Sequence, residues 1–352
     1  MPNKIRVAFF VYPSAFQNLG GGEILLLKTK EYLEKLGVYV RLFDIWNDTL
    51  ENFDILHIFG AVKDCLGLMQ TAKNKGVSVV LTPVFFSTLQ RALHEHGAFK
   101  KKLKVSIHHL TKVIFPYFPS DRRAMLLLAD AVIPNSEAEL GQLVRLFKID
   151  KNKMHVIPNC VDSGFENTSA EAFIAKYKTK DFILSVGRIE PRKNQLNFIK
   201  AMKGFKQQIV IIGNPVSDYI SYYNECKALA DKNVLFVDRI EHNDLLLKSA
   251  YSACRCFVSQ GWFETPGLAA LEAGLAGANV ATTDKGCTKE YFKDFAEYFN
   301  PSDTKDIRKA TEKAFYKQKG PQLREHIKKN FLWEQAAEKN LDVYNKLLNN
   351  KK

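Results

Sequence analysis

The stretch Trp262-Phe263-Glu264-Thr265-Pro266-Gly267-Leu268-Ala269-Ala270-Leu271-Glu272 follows an apolar run, Cys254-Arg255-Cys256-Phe257-Val258-Ser259-Gln260, and the two read as a strand feeding a helix. Thr265 reads as the N-cap and Pro266 as the first helical residue, because a hydroxyl satisfies a free N–H there and proline lacks the N–H that would be left over. Glu264 then precedes the helix, and Glu272 lies inside it about 9 Å further along the axis. This spacing distributes two acids along one ligand. Glu272 shares its stripe with Thr265, Ala269 and Ala276, beside Leu268, Leu271, Leu275 and Ala278. A carboxylate among such side chains needs hydrogen-bond donors to offset its lost hydration, and the hydroxyls of a bound sugar would supply them. The competing reading is a solvent-facing acid on an ordinary core helix.

A second constellation favours the ligand. Phe182-Ile183-Leu184-Ser185-Val186-Gly187 reads as a buried strand, and Arg188, Arg192 and Lys193 follow on the loop before a helix at about Gln195. Arg offers a planar fork and Lys a point charge, and both at the carboxyl end of a strand suit a diphosphate.

Outward from these segments, strand and helix alternate twice. Apolar strands are expected at 5–12, 39–45, 54–60, 78–85, 130–136 and 154–159, with a helix from Glu23 to Leu36, and again near 182–187, 207–213, 233–240, 253–260 and 278–284. This alternation predicts an α/β protein with two doubly wound parallel sheets. The polar stretch from Asp162 to Lys180 reads as the linker and the entry to the second domain, which divides the chain into 1–162 and 163–333. A final amphipathic helix from about Trp333 to Leu348 has an apolar face to bury.

These motifs resemble glycosyltransferase family 4, the retaining, nucleotide-sugar-dependent enzymes of the GT-B fold. The resemblance rests on Val186-Gly187-Arg188 with Lys193-Asn194, on Glu264-x7-Glu272 with Gly274-x-x-Gly277, and on Thr283-Asp284-x-Gly286 with Glu290. It extends to Met154-His155-Val156-Ile157-Pro158-Asn159-Cys160-Val161-Asp162 and to the loop Gly20-Gly21-Gly22-Glu23. The resemblance implies two Rossmann-like domains facing across a cleft, with the helix of about 334–352 packed back onto the first. It implies that Arg188 and Lys193 hold the donor diphosphate, Glu272 the ribose hydroxyls, and that Glu264 faces the transferred sugar. Backbone N–H groups of Gly267 and Leu268 would stand at a helix N-terminus that favours an anion, and Gly21 and Gly22 would let backbone approach the donor. Glu264, Arg188 and Lys193 are the expected catalytic residues.

The implied reaction moves a sugar from a nucleotide-diphosphate donor to a glycan or lipid-linked acceptor, in surface polysaccharide or glycoconjugate biosynthesis. A nucleotide-sugar 2-epimerase on the same fold, or a non-catalytic glycan- or nucleotide-binding subunit, are the alternatives. No Asp-x-Asp occurs in the sequence, so neither a metal nor another cofactor is expected. Many family members carry a His after the fourth strand of the first domain. Here that stretch is Leu81-Thr82-Pro83-Val84-Phe85-Phe86-Ser87, and His57, on an apolar strand, reads as a core residue.

The net charge is +13, and residues 91–125 alone carry +6, interleaved with aromatic and aliphatic side chains. Such a stretch suits an anionic membrane surface, and no nucleic-acid signature accompanies it. Six cysteines without a Cys-x-x-Cys pair, no apolar run of about 20 residues and no signal-peptide layout lead to the expectation of a cytoplasmic protein, peripheral on the inner face of the membrane.

Overall fold

The computed structural model describes residues 4–17, 20–86, 107, 110, 114–115, 117–265 and 267–351. They form two compact units: one holds the residues up to 86, those of the 110–160 region and those from 333 onward, and the other holds 161–332.

The first unit runs β1 (Arg6–Val11), α1 (Gly21–Lys35), β2 (Tyr39–Leu42), β3 (Ile55–Phe59), α2 (Leu66–Asn74), β4 (Ser78–Thr82), α3 (Asp121–Leu128), β5 (Ala131–Val132) and α4 (Glu137–Phe147). The sheet is parallel, in the order β2-β1-β3-β4-β5. Every residue of β3 and β4 is buried, as expected of strands covered on both faces. Leu56, Ile58, Val79, Leu81, Met125, Leu143 and Phe147 form the core on one side of it. The expected strand at 154–159 is reduced to a parallel bridge between Met154 and Val132, with the His155 N–H donating to the Val132 carbonyl at 2.9 Å and the Ile157 N–H to the Pro134 carbonyl at 3.0 Å.

The terminal helix Trp333–Asn349 packs on α1 and buries Trp333, Ala336, Ala337, Val343 and Tyr344. His57 joins it to the sheet, with Nδ1 2.6 Å from the Tyr344 hydroxyl and Nε2 2.8 Å from Thr82 Oγ1. Burial pushes the imidazole down to about 3, so it stays neutral, one nitrogen donating and the other accepting. His57 is therefore a core residue.

The second unit runs α5 (Glu171–Tyr177), β6 (Ile183–Val186), α6 (Gln195–Ala201), β7 (Ile209–Ile212), α7 (Ile220–Leu229), β8 (Val234–Val237), α8 (Leu245–Ala253), β9 (Cys256–Ser259), α9 (Leu268–Leu275), β10 (Asn279–Thr283), α10 (Thr288–Phe292), β11 (Glu297–Phe299), α11 (Thr304–Tyr316) and α12 (Gln322–Asn330). Its described residues form a six-stranded parallel sheet in the order β11-β10-β9-β6-β7-β8. Within the stretch Asp162–Lys180, the entry to this unit already holds α5, which buries Phe173 against Phe182 with ring centroids 5.3 Å apart. β11 carries three residues and too little apolar pattern to be read from sequence.

All six cysteines are buried and free. Among the described residues no helix is long and apolar enough to cross a membrane. Most of the basic stretch, including Arg91, Lys100, Lys101, Lys102, Lys104 and Lys112, lies outside the described residues.

Candidate functional site

The site is built at the carboxyl ends of β6 and β9, which lie side by side in the second unit's sheet. Gly187 leaves β6 at φ +152°, and Gly213 leaves β7 at φ +150°. A Cβ on Gly213 would sit 2.0 Å from the Gly187 carbonyl oxygen, so the two loops touch backbone to backbone only because residue 213 is glycine. The loop after Gly187 is then fixed at several points. Gln195 Nε2 donates to the Arg188 carbonyl at 2.9 Å, Asn194 Nδ2 donates to the Pro301 carbonyl at 2.9 Å, and the Trp262 N–H donates to the Arg192 carbonyl at 3.2 Å. Asn194 holds the left-handed turn, φ 58°, that ends the short 3-10 turn Pro191–Lys193 and starts α6.

This bracing delivers Lys193 to Glu264. Lys193 Nζ lies 2.8 Å from Glu264 Oε1 and 3.1 Å from Oε2, and the carboxylate side chain is only 5% exposed. Burial pushes the Glu264 carboxyl up, but Lys193, then Arg192 and the Ser259 hydroxyl, hold it below the usual carboxylate range. Burial likewise draws the Lys193 ammonium down, against the pull of Glu264. Glycines surround the acid: a Cβ on Gly261 would lie 2.6 Å from Oε1, and one on Gly267 3.3 Å from Oε2. The Glu264 backbone pairs with Lys285 and Cys287 through hydrogen bonds of 3.2 and 3.1 Å on either side of Gly286. Arg188 stands further out, its side chain 46% exposed and its Nη2 3.6 Å from Glu190 Oε1, while Arg192 Nη2 reaches the same oxygen at 2.9 Å.

The helix after Glu264 starts later than the sequence indicated. Gly267 is the N-cap and Leu268 the first helical residue of α9, Thr265 does not cap it, and Pro266 lies outside the described residues. The backbone turn around Gly267, with no side-chain cap, replaces the expected Thr-Pro start, so helical rise applies only from Leu268. Glu272 is buried, as its apolar stripe suggested, and its first donor comes from the protein: His242 Nε2 lies 2.7 Å from Glu272 Oε1. Sequence reading missed His242 because it sits in an aperiodic polar loop. A His just past the strand Val234–Val237, at the end of the sheet where ligands bind, was the available signal.

In the first unit, Gly21 and Gly22 open α1, and among the described residues nothing beyond their chain neighbours and the helix's own backbone lies within 4 Å of where a Cβ on either would be. Where the family His is absent, the loop Pro83–Phe86 is pinned by Glu139, which accepts from the Phe85 N–H at 2.5 Å and the Asn135 N–H at 2.7 Å. Burial pushes this carboxyl up to about 7 against those two bonds. Val84 stands at φ +48°, unusual for a β-branched residue. Among the described residues no group of three or more His, Cys, Asp or Glu is placed to hold a metal ion.

Both units match family models: residues 19–165 match Glycosyltransferase Family 4, and residues 167–331 match Glycosyl transferases group 1. The serotype-specific mannosyltransferase WbdA of Escherichia coli is 27% identical over 259 residues, which cover 68% of this chain and 31% of WbdA. The O-antigen chain mannosyltransferase RfbU of Salmonella typhimurium is 28% identical over 219 residues, covering 58% of this chain and 59% of RfbU. The chain thus spans about a third of the length of the first of these curated relatives. Among solved structures, Anabaena HepE in complex with UDP superposes with a TM-score of 0.72 at 14% identity, covering 97% of this chain and 100% of HepE. The fold is that of the GT-B glycosyltransferases, two Rossmann-like parallel-sheet domains. The chain belongs to glycosyltransferase family 4.

Proposed function

We propose that the chain is a retaining glycosyltransferase that moves a sugar from a nucleotide-diphosphate donor to a glycan or lipid-linked acceptor in surface polysaccharide assembly. The observation that carries this reading is the buried Lys193–Glu264 pair beside Arg188, at the carboxyl end of β6, with Glu272 on the next helix. The names of WbdA and RfbU support a polysaccharide product, and the UDP bound to HepE supports a nucleoside diphosphate.

In this reading the bond from the anomeric carbon to the donor phosphate oxygen breaks, and its electron pair leaves with the diphosphate. The acceptor hydroxyl oxygen bonds to the anomeric carbon on the same face, and its proton passes to a donor phosphate oxygen. Arg188 and Lys193 stabilise the charge that grows on the diphosphate, which lowers the barrier because their contact strengthens in the transition state. Glu264 orients the transferred sugar and Glu272 the ribose. The first turn of α9, at Gly267 and Leu268, adds backbone donors.

Incubation with UDP-, GDP- and ADP-sugars and candidate acceptors tests this. The expected result is released nucleotide together with a glycosylated product, unaffected by excess EDTA, since the cationic loop supplies the electrostatic stabilisation. An altered donor sugar without transfer would support an epimerase, and binding without turnover a non-catalytic subunit. Activity lost to EDTA and restored by magnesium or manganese would overturn the metal-free arrangement.

A membrane surface as workplace is favoured by the exposed apolar side chains Ile107, Leu110, Ile114, Phe115, Tyr117 and Phe118, 46–68% exposed, within the basic stretch. Each basic residue near an anionic surface contributes about 1 kcal/mol. Co-sedimentation with vesicles should therefore require anionic lipid, fall with salt, and drop when Lys100, Lys101, Lys102 and Lys104 become Gln. No binding to anionic vesicles at low salt would eliminate the membrane reading.

A further inference from the structure

His242 lies in the loop between β8 and α8, with its side chain 22% exposed, and its Nε2 is 2.7 Å from Oε1 of Glu272, whose side chain is 5% exposed. The loop is not free to swing: Asp244 caps α8 two residues later by accepting from the Leu246 N–H at 2.8 Å. The Phe165 ring stands between two aromatic neighbours, 5.8 Å from His242 and 5.7 Å from Tyr251. Tyr251 is fully buried, and burial, then the charge of the adjacent Glu272 carboxylate and a side-chain hydrogen bond to it, push the phenol up.

We propose that His242 is a positioning residue for the donor nucleoside, holding Glu272 by Oε1 so that the carboxylate presents its remaining acceptor positions to the vicinal hydroxyls of a ribose. This rests on the donor-site reading above and names a residue that neither of its two motifs contains. The terminal torsion of a glutamate is broad, so an unheld carboxylate samples many orientations. One donor at Oε1 fixes its plane. A carboxylate accepts at about four positions, and with His242 and Tyr251 each taking one, two remain for the two hydroxyls of a ribose. A sugar lacking one hydroxyl leaves a buried acceptor unsatisfied, and sites of that kind discriminate strongly.

The test is calorimetric affinity for whichever of UDP, GDP or ADP the parent binds, and for its 2′-deoxy counterpart, in the parent, His242→Ala, His242→Gln and Glu272→Ala. A hydrogen bond to a charged group corresponds to about 10-fold in affinity or more. His242→Ala should bind the ribonucleotide about 10-fold more weakly and lose most of the parent's preference for ribose, with little change for the deoxy form. His242→Gln should recover affinity and preference, because its amide retains a donor. Equal weakening toward both sugars, or parental affinity and preference in His242→Ala, overturns the role of His242. If Glu272→Ala loses the preference while His242→Ala keeps it, the ribose assignment survives and only His242 is removed from it. A parent that binds no ribonucleoside diphosphate overturns the donor-site reading and this inference with it.

Discussion

Lys193→Ala is expected to lower kcat/KM by on the order of 10²-fold, the scale of losing one preorganised electrostatic contact to a developing charge. The structure adds a complication that the sequence did not show. Lys193 is bonded to both oxygens of Glu264, and the acid is buried. Removing the ammonium therefore strands a carboxylate, at a cost of about 3–5 kcal/mol in folding stability. Activity loss by unfolding and activity loss by chemistry must be separated, and two further variants do this. Glu264→Gln should fold, bind free nucleoside diphosphate with an affinity near the parent's, and lose turnover. Lys193→Met with Glu264→Gln removes both charges together, so stability should recover relative to Lys193→Ala while turnover stays low. Thermal unfolding and saturation kinetics on all three variants provide the readout. If Lys193→Ala keeps parental turnover, the cation has no part in the reaction. If the double variant recovers turnover along with stability, the pair is only structural.

The parts of this site that the sequence disclosed are those carried by short-range pattern. The strand ending at Gly187, the cations that follow it and the helix beginning at Gln195 all lie where periodicity put them, because a fully buried parallel strand reads as an unbroken apolar run. Glu272 was recognisable as a buried acid from the small residues sharing its stripe. What remained hidden depends on contacts distant in sequence. His242 meets Glu272 from 30 residues away, and Lys193 meets Glu264 from 71. No spacing rule reports such pairs, since the sheet order decides which strand ends are neighbours. The start of α9 was misplaced for a local reason: Thr265-Pro266 has the chemistry of a helix start, but Gly267 caps the helix without a side chain. Tertiary anchoring of Glu264 between Lys285 and Cys287 keeps the preceding residues out of the helix. The Glu139 pin on the loop after β4 was equally invisible, because it reaches Phe85, 54 residues away, through a backbone N–H that carries no sequence signature.

Gly286→Ala is expected to be among the most damaging single methyl additions in the second unit, and to act through Glu264. Gly286 sits at φ +98°, and its added Cβ would lie 2.0 Å from the Glu264 carbonyl oxygen and 2.9 Å from both the Glu264 carbonyl carbon and amide nitrogen. All three are backbone atoms, so no side-chain rotation relieves the clash. Either the Glu264 segment or the loop after β10 must move. The hydrogen bonds from the Glu264 N–H to the Lys285 carbonyl and from the Cys287 N–H to the Glu264 carbonyl would be strained or broken in either case. Left-handed strain and overpacking together correspond to about 2–5 kcal/mol. A displacement of about 1 Å at a catalytic group costs on the order of 10²-fold in rate, so kcat/KM should fall by that amount even in protein that remains folded. Gly204→Ala is the control, since Gly204 has φ +71° in the same unit and nothing within 4 Å of the added Cβ. It should lose only about 1–2 kcal/mol from backbone strain and keep parental kinetics. Thermal unfolding and steady-state kinetics on the two variants decide the matter. Parental kcat/KM in Gly286→Ala would mean that the position of Glu264 is not what this turn protects, whereas a loss in Gly286→Ala that Gly204→Ala does not share ties the glycine to the acid it touches.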